Sequence, residues 1–156
     1  MKNFINIILI IGAILGLVYF FVLKKSPVMK ADIDSKAFET KQCTANYKSG
    51  RLKINAVYIE KDTTIITIDL NAERAGSFRL NSNDPQRDNT AAYYIRDKVF
   101  ASTRGYQGNV TITKFDLNKK ELSGIFMFDA VQIVPYGKQT VKVNNGSFEY
   151  VPIKME

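Results

Sequence analysis

The stretch NVTITKFDLNKKELSGIFMFDAV, Asn109 to Val131, decides the fold class, because it is two alternating apolar runs around one polar turn. Val110 and Ile112 alternate with Thr111 and Thr113, and Leu122, Gly124, Phe126, Phe128 and Ala130 then recur at every second position. Successive side chains of a strand point to opposite faces, so this spacing places one set inward and the other in solvent. A turn at Leu117 to Lys120 joins the two strands, with Asp116, Lys119, Lys120 and Glu121 clustered at its solvated end. Charges at a hairpin tip keep the tip soluble, and the hairpin is expected to be scaffold.

The same period of two runs through the rest of the chain. Leu52, Ile54, Ala56 and Tyr58 alternate with Arg51, Lys53 and Asn55, and Ile66, Ile68 and Leu70 alternate with Ile65, Thr67 and Asp69, across a turn at Lys61-Asp62. Gly76 opens a short strand through Phe78 and Leu80. Val141 and Val143 are expected to pair with Phe148 and Tyr150 across Asn144-Asn145-Gly146, residues that tolerate positive φ in a hairpin turn. No segment after Ala31 has a helical period. The expectation is one all-β domain over residues 31–156, an antiparallel sandwich or partly open barrel of about eight to ten strands.

The start of the chain reads differently. Phe4 to Leu23, FINIILIIGAILGLVYFFVL, carries no charge. At about 1.5 Å per residue, a helix of that length covers roughly 30 Å, the thickness of a bilayer's hydrocarbon core. Residues 1–25 are therefore expected to be a transmembrane helix, and residues 26–30 a linker in which Pro27 stops the helix. No small-residue cleavage site follows Leu23, which favours an uncleaved anchor over a removed signal. Within the segment, Gly12 and Gly16 have the spacing with which two membrane helices associate.

Charge adds little. The chain has 22 Lys and Arg against 15 Asp and Glu, a net charge of +7. Lys2, Lys24, Lys25 and Lys30 lie in or beside the apolar segment, leaving eighteen cations against 15 acids in the domain. A surplus of three with no basic stripe excludes the phosphate-tracking pattern of a nucleic-acid binder. Read literally, Lys24, Lys25 and Lys30 outweigh Lys2 and would hold the domain in the cytoplasm. The single Cys43 forms no internal disulfide and reads as a half-buried strand residue.

The 156 residues contain no histidine, which removes Ser-His-Asp and Cys-His nucleophiles, His-ligated zinc and the usual general base near neutral pH. No Gly-rich phosphate loop precedes a helix, and no cofactor is expected. Carboxylate pairs drawn from Asp62, Asp69, Asp116, Glu121 and Asp129 remain the route by which a hydrolase would work, and an enzyme is not the expectation. Two loops offer oxygen or aromatic groups. Asn81, Asn83, Asp84 and Asp88 are weak candidates for hard-metal ligands, although the same residues are ordinary turn formers. Tyr93, Tyr94, Arg96, Arg104 and Tyr106 form a candidate ligand face for a glycan or peptide.

The hairpin, followed by VKVNNGSFEYV, resembles a family of small, uncharacterised all-β cell-envelope domains of Gram-negative bacteria, many of them lipoproteins. Ile112, Thr113, Asp116, Asn118, Lys119, Leu122, Ser123, Gly124, Phe126, Phe128, Asn145, Gly146 and Phe148 fit its pattern, and MKADIDSKAFET resembles its opening. The family is a domain of unknown function, so the resemblance implies no activity. It does imply export, which places the β-domain in the periplasm; with the apolar segment, the expectation is a single-pass protein of the bacterial inner membrane, its partner an envelope protein or glycan. There is no lipobox: Cys43 follows Thr40, Lys41 and Gln42, well beyond the apolar run, and an anchor helix takes the place of the lipid.

Overall fold

The computed structural model describes residues 25–60, 62–80, 88–103 and 105–156. Residues 1–24, nearly all of the segment expected to be a transmembrane helix, with Gly12 and Gly16, lie outside the described residues. Among those described, no helix is long and apolar enough to cross a membrane, and all the regular structure is strand.

Eleven strands follow one another: β1 (Val28–Ile33), β2 (Lys36–Thr40), β3 (Cys43–Lys48), β4 (Arg51–Ile59), β5 (Thr63–Asn71), β6 (Gly76–Arg79), β7 (Thr90–Ile95), β8 (Lys98–Ala101), β9 (Gly108–Asp116), β10 (Glu121–Val134) and β11 (Thr140–Met155). Their order across the sheet is β2-β1-β11-β3-β4-β5-β7-β8-β10-β9-β6, with a further pairing of β11 to β10. That pairing closes a circuit of seven strands, β11-β3-β4-β5-β7-β8-β10, with β1–β2 and β6–β9 attached as two flaps. Closure leaves β2 and β6, the outer strands of the two flaps, as the sheet's edges, both of them short.

The two long strands make the closure possible. On one side β10 pairs with β9 over Glu121–Phe128 and with β8 over Val131–Val134, while its other side runs along β11. β11 in turn pairs with β1 near Val143–Glu149 and with β3 at Ile153–Met155. The β3–β11 pair is parallel, so the sheet is mixed where an antiparallel one was expected. The short strand expected from Gly76 forms as β6, and β8 is also only four residues long, too brief to show a period of its own.

The core follows the alternation. Leu52, Ile54, Ala56, Ile66, Ile68, Leu70, Val110, Ile112, Leu122, Phe126, Phe128 and Ala130 are all buried in one cluster. The rings of Phe128 and Phe148 stack on either side of Phe126, at 6.3 and 6.2 Å between centroids. The β9–β10 turn also forms as read: Asp116 Oδ1 accepts the Lys119 backbone N–H at 2.8 Å, and Lys114 Nζ pairs with Glu121 at 2.7 Å. Met29, fully buried, shows that the core begins in the segment read as linker.

The second expected hairpin does not exist. Val141, Val143 and Phe148 belong to one strand, β11, and Asn144-Asn145-Gly146 is a bulge in it. Phe126 is opposite Gly146 and Phe128 is opposite Val143, so β11 spends one residue more than β10 there, and Asn145 takes φ 50°. Gly146 is required at this point: a Cβ would lie 2.5 Å from the carbonyl oxygen of Phe126. A second bulge puts Tyr150 at φ 54° between the pairings of Phe148 and Val151. Each bulge bends β11 and strengthens its twist, which carries the strand from one sheet partner to the next.

The turns sort to two ends. The β1–β2 turn at Asp34-Ser35, the β4–β5 turn, the β7–β8 turn at Arg96-Asp97 and the β10–β11 connection lie at one end. The β9–β10 turn and the first described residue lie at the other, where Lys25 Nζ donates to the Tyr150 hydroxyl at 2.7 Å and stands 4.4 Å over its ring. That hydrogen bond raises the Lys25 pKa above its usual value.

Candidate functional site: an uncharged outer face and the cleft beside it

Strand register decides where the candidate ligand residues go. Tyr93 and Tyr94 are neighbours in β7 and therefore point to opposite faces. Tyr93 is in the core, its ring tilted against Phe100 at 5.9 Å, and burial pushes its phenol above the ordinary range while a Thr64 hydrogen bond opposes the shift. Tyr94 points out. Arg96 is held at the turn by Asp62, at 2.7 Å, which keeps the Asp62 carboxyl below the usual range. Tyr106 is half-buried after β8, its N–H bonded to the Thr103 carbonyl at 3.0 Å, and Arg104 lies outside the described residues. The structure does not gather these residues into one face.

The metal candidates are not gathered either. Asn81, Asn83 and Asp84 lie outside the described residues, and the Asp88 carbonyl accepts from Arg51 at 3.3 Å. Among the described residues, no group of three or more acidic or sulfur ligands comes together. Of the carboxylates considered for hydrolysis, Asp69 is held by Arg51 at 2.6 Å, Glu121 by Lys114 and Asp62 by Arg96.

A different constellation comes from register alone. Val57 lies beside Ile65, Ile65 beside Tyr94, Tyr94 beside Val99, and Val99 beside Val134, a row across β4, β5, β7, β8 and β10. All five point away from the core. The adjacent row is Asn55, Thr67, Ala92, Ala101 and Val131, in which Thr67 donates to Asn55 Oδ1 at 3.1 Å. These two rows contain ten side chains and no charge, in a chain that is 24% charged. Charges resume at both ends, with Lys53 opposite Asp69 one row further on and the Arg96–Asp62 pair at the turn beyond Tyr94.

Of the ten, Tyr94 at 36% and Val134 at 49% are exposed and the other eight are half-buried; Ile59, Ile133 and Tyr136 are exposed apolar residues outside the two rows. Outward apolar residues placed singly need no explanation, but a contiguous group marks an interaction site. A smaller apolar spot, Ile125 and Met127 further along β10, is divided from this face by Asp129, which stands opposite Lys142.

Beside the uncharged face, at the same end, a cleft of about 500 Å³ runs between Asp34 and Lys36 of the β1–β2 turn, Lys98 of β8 and Gln139. Its floor is Ile33, Tyr93, Phe100 and Val141, all already buried, so a ligand would remove little further apolar surface from water. Lys98 Nζ donates to Gln139 Oε1 at 3.0 Å across its rim. The outer face is therefore the stronger site.

The match that places the protein among known families covers residues 25–152. The chain belongs to the domain of unknown function DUF6252. No curated protein and no solved structure matches it. The DUF6252 match takes in all eleven strands apart from the last residues of β11, and with them the whole uncharged face. Sequence reasoning passed over that face because its members belong to five strands. The signal available was an apolar residue in the outward phase of each strand, as with Ile65 between buried Thr64 and Ile66.

Proposed function

We propose that this DUF6252 protein is a membrane-tethered interaction module of the bacterial cell envelope, with Phe4 to Leu23 spanning the inner membrane once and the β-domain in the periplasm. The uncharged segment supports the tether, and the resemblance to exported Gram-negative envelope domains supports the compartment. The observation that carries the binding role is the pair of uncharged rows on the outer face of β4, β5, β7, β8 and β10. A solvated strand face normally alternates with polar and charged residues, and an uncharged outward stretch in which Tyr94 and Val134 are open to solvent supports docking of a macromolecule. The occupant is a protein, because an outer strand face with one Tyr and no Trp lacks the stacked rings and convergent polar groups that bind a sugar.

Photo-crosslinking side chains placed singly at Tyr94, Val131, Lys53 and Lys142 of the full chain, in native membranes, test this reading. Adducts are expected at Tyr94 and Val131 and not at Lys53 or Lys142, and a charge introduced as Ala101→Lys should abolish them. Equal labelling at all four positions would remove the face from consideration. An alkaline phosphatase fused after Glu156 should be active if the domain is periplasmic and inactive if it faces the cytoplasm.

A further inference from the structure

We infer that the cleft between the β1–β2 turn and β8 binds an organic carboxylate with an apolar body, its charge held between Lys98 and Lys36. This site is separate from the docking role proposed above and does not depend on it.

Strand phase puts a cation where a core residue would stand. Lys98 lies two residues before buried Phe100 in β8 and opposite Ile95 of β7, so it takes the inward phase of its strand. Half-buried, it lines the cleft beside those two residues. The Gln139 amide oxygen at 3.0 Å is a neutral partner, and Lys98 has no ion pair among the described residues. Lys36, on the β1–β2 side of the cleft, has none among them either. Two ammonium groups thus share the lining with one carboxylate, Asp34, whose Oδ1 already accepts the Lys142 backbone N–H at 2.9 Å. The lining is left positive.

The walls are fixed before any ligand arrives. The Asp34 backbone N–H donates to the Lys142 carbonyl at 2.9 Å, so the β1–β2 turn is tied to β11 in both directions. On the other side, the backbone N–H of buried Gln132 donates to the Gln139 carbonyl at 2.8 Å, and its side-chain amide donates to the Pro135 carbonyl at 2.7 Å. Those two bonds hold the β10–β11 connection in place. A preformed site loses little ordering entropy when it is filled.

The floor selects what accompanies the charge. Ile33, Phe100 and Val141 give water in this cleft of about 500 Å³ few hydrogen-bond partners. They have little surface of their own left to bury, so the gain comes from the ligand's apolar body leaving water and from displacing loosely held solvent. An inorganic anion would leave this floor wet, and a cation would meet two ammonium groups. A carboxylate on a small aromatic or aliphatic body suits both the lysines and the floor.

The probe is phenylpropanoate, with its neutral amide, phenylpropanamide, and with acetate as comparisons. Each is added to the full chain in lipid nanodiscs and followed by saturation-transfer NMR of the probe, empty nanodiscs providing the blank. The expected result is saturable binding of phenylpropanoate about tenfold or more tighter than either comparison, as a charge-assisted contact gives. Lys98→Met should leave the acid bound no better than the amide, and Lys36→Met should reduce the preference. Lys53→Met, on β4 and away from the cleft, should leave it intact. The ratio of acid to amide distinguishes a binding role from a structural one, since a loosened cleft would weaken both probes alike. Equal binding of acid and amide by the native chain overturns the inference. So does a preference that survives Lys98→Met, or the absence of saturable binding by phenylpropanoate.

Discussion

Gly76 and Gly124 both stand opposite Ile112, one on each side of β9, and adding one methyl group to each should have opposite consequences. At Gly124 a Cβ would lie 2.5 Å from Phe148 Cζ and 2.5 Å from the carbonyl oxygen of Thr111. Ordinary carbon contacts begin near 3.5 Å, so about 1 Å of displacement is needed against a core ring and a neighbouring backbone at once. Overpacking of this kind costs about 1 to 3 kcal/mol, and two obstructed directions put Gly124→Ala at the upper end. Alanine restricts the unfolded chain and returns about 0.4 to 1 kcal/mol, leaving a net loss of about 2 kcal/mol. At Gly76 the nearest atom is Phe78 Cζ at 3.8 Å, an ordinary contact, so Gly76→Ala should be neutral or stabilising by up to about 1 kcal/mol. Urea unfolding of the piece from Lys25 to Glu156, which holds the entire described core, measures both. With a slope of about 1.5 kcal/mol per molar, Gly124→Ala should lower the midpoint by about 1.3 M. Phe148→Leu should soften the penalty without removing it, since the Thr111 carbonyl stays in place. Equal midpoints for Gly76→Ala and Gly124→Ala would refute the assigned packing of β9 and β10 against β11.

Phe126→Ala removes the middle ring of the Phe128–Phe126–Phe148 stack and should cost about 3 to 5 kcal/mol, whereas exposed Lys119→Ala should stay within about 0.5 kcal/mol in the same urea assay. Desolvation lifts the Cys43 thiol from 9.0 to about 11, so iodoacetamide should leave it unmodified at pH 8 until urea unfolds the domain. A folded thiol that holds its proton more tightly than the unfolded one gives a contribution intact below about pH 9 and lost as the pH rises towards 11, which denaturation midpoints across that window should follow. Arg96→Ala should let the Asp62 carboxyl return upward to its ordinary range in an NMR titration, because the Arg96 hydrogen bond is the main cause of its depression. The native Arg96–Asp62 contribution is present above the unfolded carboxyl's pKa and is lost as the pH falls through the folded one.

Local alternation alone determined the strands of β4, β5, β9 and β10 and the faces they bury. A period of two is a property of the strand itself, and Leu52, Ile66, Val110 or Phe126 has only one way to leave water. The β9–β10 turn was equally local, since Asp116 reaches the Lys119 N–H three residues away. Asn144-Asn145-Gly146 shows the limit. A residue at positive φ followed by glycine serves a hairpin turn and a strand bulge alike, and the choice fell to bulge because β1 and β10 flank β11 on both sides and hold it extended. The parallel pair of β11 with β3 joins residues more than a hundred positions apart and has no local signature. The uncharged face belongs wholly to the tertiary structure. Val57, Ile65, Tyr94, Val99 and Val134 each lie in the outward phase of a different strand, and become neighbours only because the ladder register sets them side by side.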